Sequence, residues 1–357
     1  MPTFRPDISQ IAPYLPGRSV AEVARQYGFD PSEMVKLASN ESPVPPLESV
    51  RRKIVEHVEG VYRYPDNDAL ELREAIAESV GADPRNVWVG GGSSELLRVI
   101  AVASGGPGTS AVYAWPSFVI YRLGSMIAMT ERVEVPLVEH RHDLDALLAA
   151  IRDDTTVVYV CNPNNPTGTH VPAEAIAAFV AQVPERVLVV IDEAYHEYVT
   201  ASDHRTAVPL ALQYPNVVVT RTFSKIHGLA ALRVGYGVAA AETITELRKA
   251  QAPFTVTSIG QVAAIETLRE TAAIRERAAM NAAERQRMRE ALTETGVEVV
   301  PSQANFLFFQ PERIEDPASA YLSHGIIVRV LGGGVRVTVG TPAENDRFLT
   351  ATRALLD

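Results

Sequence analysis

The stretch Val217-Val218-Val219-Thr220-Arg221-Thr222-Phe223-Ser224-Lys225 decides the fold, because an apolar β-branched run ends there in hydroxyl side chains and a lysine. A lysine just beyond the C-terminal end of a strand lies where open α/β sheets place their ligands. Thr222 and Ser224 precede it, and Arg233 follows eight positions downstream. Hydroxyl and guanidinium groups are suited to holding a phosphate. The stretch therefore predicts a lysine amine beside a phosphate site, the alternative being an exposed lysine in a loop.

The composition excludes several classes of protein. A chain of 357 residues exceeds one comfortable core, so two domains are expected, and 46% hydrophobic with 21% charged residues is ordinary for a globular protein. The 43 acidic against 33 basic residues argue against non-specific nucleic-acid binding. Apolar runs such as Val187–Ile191 are too short to span a membrane, and the N-terminus does not resemble a signal peptide. The single cysteine, Cys161, fits a reducing cytoplasm.

Strands and helical stretches alternate over residues 46–245, after a proline-dotted segment, 1–45, that is expected to form an N-terminal arm. The predicted strands are Val87–Val89, Ala111–Tyr113, Thr156–Val160, Val187–Ile191 and Asn216–Thr220. Apolar strands separated by helices indicate a largely parallel sheet covered on both faces. This segment is therefore predicted to be a large ligand-binding domain.

Residues 246–357 differ from the preceding segment. A long helical region, Ile259–Thr295, precedes three short predicted strands at Asn305–Phe309, Ile326–Val330 and Val335–Val339. We expect a smaller α+β domain here, packed with the N-terminal arm.

Glycines and serines at Gly90-Gly91-Gly92-Ser93-Ser94-Glu95 follow the first predicted strand. Glycines allow a tight turn, and a helix that begins at Ser93 and Ser94 would present free N–H groups and the positive end of its dipole to an anion. A dinucleotide fingerprint would need a third glycine where Glu95 stands. The motif indicates a phosphate site, the alternative being a glycine turn with a serine cap.

Two further strands end in polar side chains. The string Cys161-Asn162-Pro163-Asn164-Asn165-Pro166-Thr167-Gly168 fixes a loop, so Asn165 is expected to be a rigidly placed amide. Asp192 ends the apolar run Val187–Ile191 and is predicted at the sheet edge, the alternative being a helix N-cap. Because carboxyl ends of parallel strands meet at one edge, these side chains are expected to share a site with Lys225.

Four strings occur in the order and approximate spacing of a known family: Asn164-Asn165-Pro166-Thr167-Gly168, Asp192-Glu193-Ala194-Tyr195, Ser224-Lys225 and Arg233-Val234-Gly235. From roughly residue 12 onward the chain resembles the fold-type-I pyridoxal-phosphate aminotransferases. It is similar to their branch of histidinol-phosphate and aromatic amino-acid aminotransferases in the strings Lys36–Glu41, Arg63–Asp66, Pro253–Gly260 and Pro301–Phe306. The resemblance implies an α/β fold with a mostly parallel seven-stranded sheet covered by helices, a smaller C-terminal domain, and pyridoxal 5′-phosphate as cofactor.

The resemblance also implies roles around the cofactor ring. Lys225 is the Schiff-base lysine and moves the substrate proton, and Asp192 pairs with the pyridine nitrogen. Asn165 and Tyr195 hydrogen-bond the ring oxygen, and Phe118 stacks on the ring, an ordinary core aromatic being the alternative for this residue.

For the cofactor phosphate, the resemblance implies the residues Ser93, Ser94, Thr222, Ser224 and Arg233. Tyr64 resembles the tyrosine that reaches the phosphate from a partner subunit, which implies a homodimer with shared active sites.

The substrate end of the site is implied to contain Arg336, which clamps the α-carboxylate, together with Asn165. A planar guanidinium grips a carboxylate at two points, although an exposed strand arginine is the alternative. Arg329 and Tyr14 are further candidates for an anionic substrate group. No pattern of metal ligands is recognised, so no metal is expected.

The expected reaction is transfer of an amino group from an aromatic L-amino acid to a 2-oxo acid, 2-oxoglutarate being the expected acceptor, in a ping-pong cycle. The alternative within the family is histidinol-phosphate aminotransferase, and a lyase or decarboxylase on the same fold is the alternative reaction class. The chain departs from the family pattern in two places. Ile226 follows the lysine, where the family has a small residue, and His227 comes next. Ala231 stands where the branch has the second glycine of its Gly-Leu-Ala-Gly-Leu-Arg string. The departure at Ile226 leaves the local packing and the shape of the substrate pocket undetermined.

Overall fold

The computed structural model describes residues 5–9, 11–13 and 18–356. Thirteen strands occur in this part of the chain: β1 (Val35–Lys36), β2 (Val87–Gly90), β3 (Ser110–Trp115), β4 (Glu131–Pro136), β5 (Thr155–Cys161), β6 (Leu188–Asp192), β7 (Val217–Thr222), β8 (Gly235–Val238), β9 (Val299–Val300), β10 (Phe306–Phe309), β11 (Ile326–Ile327), β12 (Arg329–Leu331) and β13 (Gly334–Thr338).

The same residues contain fourteen α-helices: α1 (Pro6–Ser9), α2 (Val20–Tyr27), α3 (Glu48–His57), α4 (Leu70–Val80), α5 (Ser93–Ser104), α6 (Val119–Ile127), α7 (Leu144–Ala149), α8 (Ala173–Val180), α9 (Val208–Gln213), α10 (Ala241–Arg248), α11 (Ser258–Arg269), α12 (Thr271–Glu294), α13 (Pro317–Ser323) and α14 (Pro342–Leu356). None of them combines the length and the hydropathy that crossing a bilayer requires.

A seven-stranded sheet, in the order β2-β8-β7-β6-β5-β3-β4, forms the centre of the molecule. Its pairs are parallel except for the two that involve β8, which is antiparallel to β2 and β7. The predicted mostly parallel sheet is therefore confirmed. β4 and β8 were not predicted, because β4 is a polar, largely exposed edge strand and β8 contains two glycines.

Alternation along the central strands explains why helices cover both faces. Val189 and Ile191 belong to one apolar cluster, which includes side chains of α4 and α8, whereas Val190 belongs to another cluster that includes side chains of α5. Successive strand residues point to opposite faces, so an uninterrupted apolar strand needs cover on both sides. The carboxyl ends of β5, β6 and β7 consequently meet at one edge of a rigid sheet.

A four-stranded antiparallel sheet, β12-β13-β10-β9, lies in the C-terminal part with α12 and α14 against it. β1 pairs in parallel with β11, and Val35 and Leu37 belong to the same apolar cluster as Leu307 and Phe348. The segment before the large sheet is thus packed on the C-terminal α+β part.

One predicted element was wrong in extent. The predicted helical region Ile259–Thr295 is present as α11 and α12, separated at Glu270, whose backbone leaves helical geometry. The strand Ile326–Val330 is divided between two sheets, since β11 pairs with β1 and β12 pairs with β13. In this strand a distant segment, rather than local propensity, sets the boundary.

Candidate active site

A cavity of about 210 Å³ lies at the carboxyl edge of the parallel strands and extends to the small sheet. Twelve of the residues predicted from the sequence line it: Ser93, Ser94, Phe118, Asn165, Asp192, Tyr195, Thr222, Ser224, Lys225, Arg233, Arg329 and Arg336. The fold therefore brings together side chains that are separated by up to 243 positions (from 93 to 336).

Lys225 presents its amine to the cavity. Its Nζ donates to the backbone oxygen of Ser39 at 3.2 Å and lies 5.8 Å from the centre of the Tyr195 ring. Burial, and after it the nearby Arg336 guanidinium, lowers the pKa of Lys225 to about 7. A substantial fraction of this amine is therefore neutral at physiological pH, the state that can act as a nucleophile or base.

Asp192 ends β6 and is buried. Its Oδ2 accepts a hydrogen bond from the Tyr121 hydroxyl at 2.8 Å, and its Oδ1 accepts one from the Ala194 amide at 3.2 Å. Burial raises the pKa of this carboxyl to about 6, and the two neutral donors offset only part of the shift. A cation placed against the carboxylate, such as the protonated ring nitrogen of a bound ligand, would offset the cost of burying this charge.

A chain of hydrogen bonds runs along the cavity from Tyr195 through Asn165 to Arg336. Asn165 donates to Tyr195 Oη at 3.4 Å and accepts from Arg336 Nη1 at 2.6 Å. Asn40 also donates to Tyr195 Oη, at 2.9 Å, and Arg336 donates to the Ala38 oxygen at 2.6 Å. Burial raises the pKa of Tyr195, so its hydroxyl stays protonated and can donate to a ligand oxygen.

The phosphate end of the cavity is built on the N-terminus of α5. Gly92, at φ +86°, caps this helix, and a Cβ at Gly92 would lie 2.5 Å from Arg233 Nη2. Glycine is therefore favoured here by the backbone conformation, and a Cβ would displace the end of the Arg233 side chain. Arg233 Nη1 donates to Ser224 Oγ at 3.3 Å, beside the buried Ser93. Free helix N–H groups, hydroxyls and a guanidinium form an anion site.

The substrate end is formed by the small sheet. Arg329 on β12 is directly opposite Arg336 on β13, so both side chains lie on the same face of the sheet. A cleft of about 480 Å³ continues outward from this point, between Phe118, Trp115 and Leu331. The guanidinium of Arg122 lies over the Trp115 ring at 3.8 Å.

Among the described residues predicted for the site, Tyr64 does not line this cavity. It is 82% exposed and stacks on Phe254 with 4.7 Å between ring centres. Tyr14 lies outside the described residues.

Three functional residues were missed by sequence reasoning. Asn40 and Tyr121 hold Tyr195 and Asp192, and Cys161 lines the cavity next to Asp192 on the neighbouring strand. For Tyr121 a signal existed, since it lies one helical turn after Phe118 and shares its face. Asn40 had no comparable local signal, because it reaches the site only through the packing of the N-terminal segment.

The side chains present fit pyridoxal 5′-phosphate at each of its polar groups. Lys225 supplies the amine, Asp192 the anion for the ring nitrogen, Tyr195 and Asn165 the donors for the ring oxygen. The N-terminus of α5 with Arg233 supplies the phosphate site. Among the described residues, no cluster of side chains is suited to a metal ion.

The fold and this cavity define a pyridoxal-phosphate-dependent enzyme of fold type I. The sequence profile described as "Aminotransferase class I and II" matches residues 32–351, and the chain belongs to this family. The predicted family and cofactor are thereby confirmed.

Similar proteins carry two different names. The chain is 44% identical to a histidinol-phosphate aminotransferase of Geobacillus thermodenitrificans, covering 97% of this chain and 96% of that protein. It is also 44% identical to an aromatic amino acid aminotransferase of Thermobifida fusca, covering 99% and 97%. A solved structure, a histidinol-phosphate aminotransferase of Sinorhizobium meliloti in complex with pyridoxal-5′-phosphate, superposes with a TM-score of 0.91 at 29% identity, covering 99% and 97% of the two chains.

Proposed function

We propose that this aminotransferase acts on histidinol phosphate, with 2-oxoglutarate as amino acceptor. The observation that carries the proposal is the pair Arg329 and Arg336, which face each other across β12 and β13 at the substrate end of the cavity. A phosphate dianion has enough oxygens to accept hydrogen bonds from two guanidiniums, whereas a single carboxylate is gripped by one. Relatives named for this reaction support the proposal.

In this proposal the chain's own groups divide the chemistry. Bound pyridoxal phosphate supplies an electron sink for the substrate carbon that carries the amino group. Lys225 Nζ takes the proton from that carbon, and its pKa of about 7 suits proton transfer in both directions. Arg336 and Arg329 hold the phosphate and thereby orient the C–H bond toward the lysine. Asn165 keeps Arg336 in place through its 2.6 Å hydrogen bond.

The aromatic amino-acid donor predicted from the sequence is the second candidate. Apolar and aromatic side chains, Trp115, Phe118 and Leu331, line the outer cleft and suit an aromatic ring. In that case Arg336 alone would bind the carboxylate. A relative named for the aromatic reaction also reaches 44% identity, so identity alone does not exclude this donor.

Arg329→Met is expected to distinguish the two substrates. It removes one charge from the phosphate site, so kcat/KM for histidinol phosphate should fall about 10- to 100-fold, the value of a charged hydrogen bond of about 1.5–3 kcal/mol. For phenylalanine, tyrosine and tryptophan the loss should be less than about threefold, because their carboxylate is held by Arg336. Steady-state assays with 2-oxoglutarate as acceptor measure both.

Arg132→Met is the matched control, since this exposed arginine lines only the outer cleft. Arg132→Met should leave kcat/KM for histidinol phosphate and kcat/KM for the aromatic amino acids nearly unchanged. A wild-type enzyme that turns over phenylalanine faster than histidinol phosphate would contradict the proposed donor, and would favour the aromatic candidate.

We propose that the enzyme is a homodimer with shared active sites. Large apolar side chains are exposed close to Tyr64, namely Val55, Val58, Val61, Tyr62 and Phe254. A concentration of such side chains marks a protein interface.

Further proposals from the sequence are a cytoplasmic location and a division into an arm (1–45), a large domain (46–245) and a small domain (246–357). The β1–β11 pairing supports packing of the arm on the small domain.

Tyr64→Phe is expected to weaken pyridoxal-phosphate binding about tenfold while the protein stays a dimer. The change keeps the ring stacked on Phe254 and removes only the hydroxyl that would reach the partner's phosphate site. Fluorescence titration gives the affinity, and sedimentation velocity gives the assembly. Tyr62→Phe, at a similarly exposed tyrosine, serves as control. A monomeric wild type, or an affinity that Tyr64→Phe leaves unchanged, would contradict the shared site.

A further inference from the structure

A second cavity, of about 300 Å³, lies behind the lysine loop and shares no lining residue with the first. Three parts of the chain meet there. The segment Ser42–Val44 forms one wall, Tyr198 and Ile226 belong to the large-sheet part, and one face of α12 closes the cavity together with the start of α14. Its volume is at the lower end of the range of about 300–1,000 Å³ that holds small molecules.

Most of the wall is apolar. Pro43, Val44, Ile226, Met280 and Pro342 provide it, and Met280 is half exposed at the entrance. Such a surface favours an apolar molecular body, and a flexible methionine adapts to its shape.

The charged groups of the cavity, Arg277 and Glu284, lie on α12 together with Asn281, and the Glu284 carboxylate is paired with Arg287 at 2.7 Å. Arg277 donates to the backbone oxygens of Ile226 at 3.2 Å and of Pro45 at 2.7 Å. Burial lowers the pKa of Arg277, and among the described residues the acidic group that opposes this effect is the Tyr198 hydroxyl rather than a carboxylate. A guanidinium has five N–H donors, so Arg277 retains capacity for an anion.

Asn281 follows Arg277 by one helical turn. It is only 8% exposed, and its Oδ1 is buried without a hydrogen-bond partner in the described part of the chain. Side chains four residues apart on a helix are neighbours, so the unpaired acceptor and the cation lie side by side in one cavity. A buried acceptor without a donor is unfavourable, and a ligand N–H or O–H would satisfy it.

We propose that this cavity is a regulatory site for a small organic acid with an apolar body and one hydrogen-bond donor. The carboxylate pairs with Arg277, the donor satisfies Asn281 Oδ1, and the apolar body packs on Pro43, Val44 and Met280. These three requirements follow from the charge, the unpaired acceptor and the wall of the cavity.

The position of the cavity connects it with the chemistry. Ile226 follows Lys225 directly, its side chain lines the cavity, and its carbonyl is held by Arg277. A carboxylate on Arg277 competes for the guanidinium that holds this carbonyl, and so changes the backbone that positions the lysine. A ligand here is therefore expected to lower kcat without excluding the substrate from the first cavity.

Indole-3-acetate is a suitable probe, since it has a carboxylate, a ring N–H and an apolar body but no amino group to donate. We expect the cofactor-loaded wild-type protein to bind it with a millimolar or lower Kd in calorimetry. It should reduce kcat while leaving KM for the amino donor unchanged. In Asn281→Leu the Kd should rise at least about tenfold, because the partner of the ring N–H is removed. This variant is expected to fold, since it replaces an unpaired buried acceptor with an apolar group.

Gln286→Leu is the matched control, an exposed amide on the same helix, and it should bind the probe like the wild type. Three results would each overturn the proposal: no binding at millimolar probe, equal binding by Asn281→Leu and wild type, or inhibition that is purely competitive with the amino donor. The last result would place the probe at Arg336 in the first cavity.

Discussion

Lys225→Ala is expected to abolish transamination while leaving the protein folded. In the proposed mechanism the amine moves the substrate proton, a role worth about 10²–10⁴-fold in rate, and is also the point of cofactor attachment. We therefore expect turnover to fall by at least about 10⁴-fold. Its Nζ makes one hydrogen bond, to the Ser39 oxygen, and burial disfavours its charge, so its loss should not lower the melting temperature.

Borohydride treatment followed by peptide mass analysis measures the attachment directly. Wild-type protein loaded with pyridoxal phosphate should lose its visible absorbance and carry the label on Lys225, and the variant should carry none there. Lys249→Ala, at an exposed lysine paired with Glu246 on α10, is the control and should retain full activity. Label on another lysine, or turnover by Lys225→Ala within tenfold of the wild type, would refute the assignment.

Asp192→Asn is expected to have the second largest effect. The buried carboxylate is the anion available to a protonated ring nitrogen, and asparagine has nearly the same shape without the charge. Removing one preorganised electrostatic group from an enclosed site costs about 10²–10³-fold in kcat. Cofactor affinity should also fall, about tenfold or more, because a charged hydrogen bond is lost.

The pH dependence provides a second measure of the same carboxylate. Burial raises the pKa of Asp192 from 3.8 to about 6, so the group is protonated below pH 6 and ionised above it. The wild type should therefore bind the cofactor no more tightly than Asp192→Asn once the pH has fallen well below about 6. The dissociation constant of pyridoxal phosphate for Asp192→Asn, divided by that for the wild type, should approach one. Dividing the two constants cancels the titration of the cofactor itself.

Asp203→Asn is the matched control, since Asp203 is an exposed carboxylate paired with His170. It should leave both kcat and cofactor affinity unchanged. A dissociation-constant ratio for Asp192→Asn that is constant between pH 5 and 8 would show that the Asp192 charge does not contribute to binding.

Strand-end motifs predicted most of the candidate site. Asp192, Asn165 and Lys225 each follow an apolar run, and parallel strands carry such residues to one edge regardless of what covers the sheet. The glycines before Ser93 likewise encode their turn locally, because the left-handed backbone conformation at Gly92 favours glycine. These residues could be found in the sequence because their signals are local.

Other parts of the site depend on contacts between distant segments. Tyr121 supports Asp192 across 71 positions and Asn40 supports Tyr195 across 155, so the partner in each pair could not be identified from the neighbouring sequence. The division of Ile326–Val330 between two sheets is likewise set by distant strands.

The sequence by itself thus predicted a mostly parallel sheet, the family, its cofactor and a candidate lysine for that cofactor, because strand patterns and strand-end motifs are short-range properties that also carry the family resemblance. Only the tertiary structure decided that Arg329 stands opposite Arg336, that Tyr64 faces outward, and that a second cavity lies behind Ile226. These features arise where separate elements pack against each other, and the free energy of that packing depends on the whole fold rather than on any one stretch of chain.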